Sequence, residues 1–112
     1  MKVNATYFTD LTNANDEEIE ESEETMAKAF ACCLKEIRQY KKLTLKQVAE
    51  ATEIPFQTIA RYESGENIPS VIQAYKLSYF YRMDLNEMFR AGYVCDSDRE
   101  SIFAELFPEY DK

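Results

Sequence analysis

Apolar residues along this chain recur mostly at intervals of three and four, the period of a helix with one buried face. Ile19, Met26, Phe30, Leu34 and Ile37 form one such stripe, with Cys33 beside it. Only two glycines and three prolines punctuate the sequence, and no Asn-Gly or Asp-Gly hairpin signal occurs. The pattern predicts an all-α fold. A first helix is expected to begin after Asn15, with Glu18 completing a capping box. The stripe leaves open whether this is one helix or two. Before it, Val3, Ala5 and Tyr7 alternate, which suits a short strand, although a loose arm over Met1 to Asn13 is the stronger expectation.

The later helices carry clearer start and stop signals. Thr44 and Gln47 have capping-box spacing, flanked by Leu43 and Val48 as a hydrophobic staple, and this helix is expected to run to about Ala51. Pro55 opens a third helix, ending near Gly65. Pro69 opens a fourth, containing Ile72, Tyr75, Leu77, Phe80 and Tyr81. Asp84 and Glu87 start a fifth, with Met83 and Met88 as staple and Gly92 as its close. Ser97 and Glu100 start a last helix bearing Ile102, Phe103, Leu106 and Phe107, and Pro108 ends it. The methionines and the aromatics of the fourth helix are read as core or partner-facing rather than as a cofactor box.

At 112 residues and 46% hydrophobic, the chain fits one domain with a core. No apolar run approaches 18 residues and no secretion signal opens the chain, so a cytoplasmic location with no membrane contact is expected. The three cysteines are odd in number, and Cys32 and Cys33 are adjacent. They read as reduced, buried small hydrophobes. Without histidine there is no Ser-His-Asp or Cys-His centre and no His-containing zinc site. With no phosphate-cradling glycine loop either, the expectation is no enzyme, no cofactor and no metal.

The net charge of −8 at first opposes binding to nucleic acid. Its distribution changes that. Residues 1–25 carry −7, residues 26–92 carry +3 and residues 93–112 carry −4. The expected division follows these boundaries: an acidic N-terminal extension with the start of helix 1, a central domain and a C-terminal amphipathic helix. The acids from Asp16 to Glu24 suit a helix N-terminus, and a masking or partner-binding role is the alternative.

Two short helices joined by a tight turn between Ala49 and Pro55 form a helix-turn-helix within the basic part. Val48, Ile54 and Ile59 can fill the seam between them. Phe56, Gln57, Thr58, Ala60 and Arg61 are left outward on the second helix, in position to enter a major groove. With Arg38, Leu43-Thr44, Ala49, Ile54, Ile59, Tyr62-Glu63-x-Gly65, Pro69-Ser70 and Leu85-x-x-Met88-Phe89 all in register, the stretch Leu34 to Phe89 resembles the lambda-repressor-like, or XRE, helix-turn-helix family.

The resemblance implies a five-helix lambda-repressor-like bundle, here with an N-terminal extension and an extra C-terminal helix. It also implies a sequence-specific transcription regulator that binds double-stranded DNA, commonly as a homodimer. By the same resemblance Phe56, Gln57, Thr58 and Arg61 are candidate base contacts, and Lys46 and Asn67 candidate backbone contacts. Arg38 and Glu63 match a structural ion pair. The apolar side of the last helix (Phe103, Leu106, Phe107) is a candidate dimer surface, or else packs back on its own bundle. Five positions depart from the family pattern. Glu53 stands where the turn usually has Gly, Pro55 replaces a Ser/Thr cap, and Phe56 and Leu45 replace polar residues. The loop Glu66-Asn67-Ile68 has no basic residue. These departures motivate the alternative reading, a non-catalytic protein-interaction module on the same scaffold.

Overall fold

The computed structural model describes residues 16–110, with side chains from 23 to 109. The expected arm at Met1–Asn13, the cap at Asn15 with Glu18, and the Ile19 side chain lie outside the described residues. Six α-helices follow one another: α1 (Asp16–Tyr40), α2 (Leu45–Thr52), α3 (Phe56–Ser64), α4 (Val71–Tyr81), α5 (Leu85–Tyr93) and α6 (Asp96–Leu106). A short 3-10 turn, Pro108–Tyr110, comes last. The long apolar stripe is a single helix, and the charge boundary at residue 25 falls inside it.

Helix α1 is the central strut, packed against α3, α5 and α6. Phe30, Cys33, Leu34 and Ile37 stand on its buried face. They meet Val48, Ile54 and Ile59 from the helix-turn-helix, Leu77 and Tyr81 from α4, and Met88 and Phe103 from α5 and α6. Four helix starts have their local chemistry on view. The capping boxes Thr44–Gln47 and Asp84–Glu87 are both closed. Ser70 caps α4 by accepting from the Gln73 N–H, so the helix starts one residue beyond Ser70 rather than at Pro69. Cys95, not Ser97, is the N-cap of α6. Its thiol donates to Asp98 at 3.1 Å, but no side chain caps the helix N–H groups.

Gly92 does not close α5, which continues to Tyr93. The glycine is required by packing: a Cβ there would overlap the Ala29 carbonyl of α1. The C-terminal end of α5 is held by Arg99 of α6. Its guanidinium is buried and donates from Nε to the Ala91 carbonyl (2.9 Å) and from Nη2 to the Val94 carbonyl (2.8 Å). Asp96 Oδ1 accepts from Nη1 at 2.7 Å, and Glu36 of α1 lies 3.8 Å away. This arrangement fastens α6 to the bundle.

Phe103 and Phe107 are consequently buried and Leu106 is half-buried against the same core. Of the two placements open for the last helix, it packs back on its own bundle. Its apolar side is therefore corrected from a dimer surface to core. The fourth helix differs in the opposite sense. Leu77 and Tyr81 are core, but Ile72 and Tyr75 are exposed.

Candidate nucleic-acid interface

The α2–turn–α3 unit is built by three apolar side chains. Val48, Ile54 and Ile59 have almost no exposed surface and fill the seam where α2 crosses α3. The turn between the helices is Glu53-Ile54-Pro55. Glu53 terminates α2 in the left-handed conformation (φ 60°, ψ 31°), and its N–H donates to the Ala49 carbonyl at 2.8 Å. A glutamate thus adopts the backbone that usually selects glycine, and the residue that follows it, Ile54, is buried in the seam. Inside α2, the Thr52 hydroxyl donates to the Val48 carbonyl, satisfying a buried polar group locally.

Pro55 precedes α3 with φ −54° and no side-chain cap. Its carbonyl accepts from the Thr58 and Ile59 N–H groups. The first turn of α3 therefore presents an uncapped, partly positive helix end, the polarity that suits a phosphate. Phe56 (43% exposed) and Gln57 are exposed on this turn, and Thr58 is half-buried. Arg61 is one turn beyond Gln57 on the same face. Its Nε lies 3.3 Å from Glu66 Oε2, with both side chains more than half exposed. Such a solvated pair is weak, so the guanidinium is readily exchanged onto another acceptor.

Lys46 is exposed in the first turn of α2. Gln47 beside it is committed to the cap: its Oε1 accepts from the Thr44 N–H at 2.8 Å. Asn67 lies beyond the other end of α3, where its N–H donates to the Arg61 carbonyl at 3.2 Å. It is exposed at the rim of an apolar groove. The four candidate base contacts thus share α3, whereas Lys46 and Asn67 flank that helix from α2 and from the following loop. Lys41 points elsewhere. Its ammonium sits 3.9 Å from the Phe107 ring centroid, and burial holds its pKa below the ordinary value.

Arg38 and Glu63 fix the angle of α3. Arg38 donates to both carboxylate oxygens of Glu63 and, from Nη1, to the Leu43 carbonyl at 2.9 Å. The hydrogen bond to Glu63 raises the Arg38 pKa further. Arg99 was not singled out by the sequence. A lone arginine in an acidic helix reads as a solvated charge, and only the end of α5 beside it shows its role.

Among the described residues no cluster of three or more His, Cys, Asp and Glu could hold a metal ion, and no helix is long and apolar enough to cross a membrane. No curated protein and no solved structure matches the chain. Residues 34–88 match the family model described as Helix-turn-helix, the span that builds the end of α1, all of α2 to α4 and the first turn of α5. Through those residues the chain belongs to the helix-turn-helix family of lambda-repressor-like, XRE type.

Proposed function

We propose that this protein is a sequence-specific DNA-binding transcription regulator that inserts α3 into the major groove as a homodimer. The observation that carries the reading is the exposed face shared by Gln57 and Arg61 on α3, with Arg61 engaged by a solvated carboxylate, Glu66. Arginine suits the O6 and N7 acceptors of guanine, and glutamine the N6 and N7 edge of adenine. Phe56 would pack on a thymine methyl, with Thr58 between the polar readers. Lys46, Asn67 and the uncapped start of α3 would hold phosphates. A single nine-residue helix reads few base pairs, so two copies on half-sites about one helical turn apart are needed for specificity. The role requires no catalysis, metal or cofactor, and the free cysteines suit a reduced cytoplasm.

The test is selection from a random DNA pool by the purified chain and by a Gln57→Ala/Arg61→Ala variant. Enrichment of a motif by the parent alone supports the reading; no enrichment over the variant refutes it. The exposed Phe56 ring favours a second reading, a protein-interaction module on the same scaffold.

A further inference from the structure

Seven large apolar side chains are exposed among the described residues. Six of them, Ile68, Val71, Ile72, Tyr75, Tyr79 and Leu85, follow one another between the end of α3 and the start of α5. Val71 is 84% exposed, Tyr79 75% and Ile68 72%. Scattered exposed leucines need no explanation, but a contiguous apolar face of this kind marks a binding surface. Val71, Tyr75 and Tyr79 recur every four residues and form a ridge along α4. Beside the ridge runs a groove of about 460 Å³ between α1, α4 and α5, with Met26, Phe30, Tyr62 and Phe89 among its lining.

We infer that this face pairs with the same face of a second copy, the α4 ridge of each protomer entering the groove of the other. The inference rests on the dimeric DNA-binding reading above and supplies the interface it needs, since the apolar side of α6 is spent on the core. Three observations select a second copy as the occupant. A two-fold interface uses one patch against itself, so it must carry both protrusion and recess, and Val71 and Tyr75 stand on the ridge while also edging the groove. Charge selects it too. Each copy carries −8, yet residues 67–75 are the longest uncharged run in the chain. Net repulsion between two such bodies is weakest across a face of this kind, where Glu23 at the groove is the one carboxylate of the described lining. Area is the third. Two tyrosines, each able to bury roughly 150–250 Å², with four aliphatic neighbours approach the ~800 Å² per partner of a stable interface.

The experiment is sedimentation equilibrium on the full chain from low to high micromolar concentration, with Val71→Glu, Val71→Lys and Tyr75→Ala variants checked for helicity by circular dichroism. Position 71 is open to solvent, so the monomer fold tolerates either charge. A dimeric parent is expected. Each charged variant should dimerise more than about 100-fold more weakly, and Tyr75→Ala about 30-fold more weakly. Mixing the Glu and Lys variants should restore dimers. A parent that stays monomeric, or folded variants that dimerise as the parent does, overturns the proposal. The DNA pool selection is scored separately. A monomer that still enriches a half-site refutes this surface and the homodimer but spares the base reading by α3; a dimer that enriches nothing spares the surface and refutes the DNA reading.

Discussion

Arg38 near the end of α1 and Glu63 in the last turn of α3 are joined by a two-pronged pair, Nε to Oε2 at 2.7 Å and Nη2 to Oε1 at 3.0 Å. Both side chains are largely shielded from water. The fork and the carboxylate match in plane, which sets an angle as well as a distance. The third hydrogen bond of Arg38, to the Leu43 carbonyl, ties the α1–α2 turn to the same point. One arginine thereby holds the start of α2 and the end of α3 at once. Removing either partner strands the other charge. Glu63→Ala or Arg38→Ala is expected to cost about 3 kcal/mol in urea unfolding. The double replacement Arg38→Met/Glu63→Leu should cost less than either single change, because it leaves no orphaned charge.

Gly92→Ala probes a close approach of α5 to α1. The new methyl would meet the Ala29 backbone carbonyl, which cannot rotate away. A loss of about 1–3 kcal/mol or more is expected, read as a lower unfolding midpoint. If Gly92 were only a left-handed helix stop, alanine would cost no more than about 1 kcal/mol.

Glu53→Gly should act the other way. Left-handed backbone costs an ordinary residue about 1–2 kcal/mol, and glycine gives back about 0.5–1 through the freer unfolded chain. Glu53 stands at φ 60°. A net gain of about 0.5–1 kcal/mol is expected by thermal unfolding, without a change in helix content.

Alkaline pH should weaken the fold. Burial pushes the Cys33 thiol up from 9.0 to about 12, and the neighbouring Cys32 adds to this. The buried Tyr81 hydroxyl is raised by the same cause, with Glu63 adding to it. Each group keeps its proton in the folded state after the unfolded chain would release it. Stability is therefore full below pH 9 and falls as pH rises toward 12. The slope is up to about 1.4 kcal/mol per pH unit for each group. Urea unfolding of the parent and of Cys33→Ala across this range checks it, the variant being weaker at pH 8 but showing the shallower decline.

The DNA reading makes a paired prediction. Arg61→Ala should cost roughly 1–3 kcal/mol in binding and relax preference at one base position. Lys46→Ala should weaken all sequences alike and lower the salt dependence by about one counterion. Uniform weakening by both changes would remove Arg61 from base contact.

Much of the fold was legible because its signals act within one helical turn. The caps at Thr44 and Asp84 and the left-handed stop at Gly65 close within three or four residues, and each stands where the local pattern put it. The inward set Val48, Ile54 and Ile59 followed from spacing alone. Helix α4 was not legible in this way. It is apolar on nearly every side, so periodicity could not say which face is covered.

That choice belonged to the packing. Burial is decided by which surfaces meet, and those surfaces come from residues far apart in the chain. Leu77 and Tyr81 are core because they stand on the side of α4 that packs into the bundle, where α2 and α5 meet the helix, while Val71 and Tyr75 have no such cover. Gly92 looked like a stop until α1 lay against it, and nothing local marks Arg99, whose partners are carbonyls at the end of α5. Local chemistry along the chain settled the helices, their caps and the helix-turn-helix. The packing then spent the apolar side of α6 on the core and left the α4 ridge as the exposed face, because each surface can be buried only once.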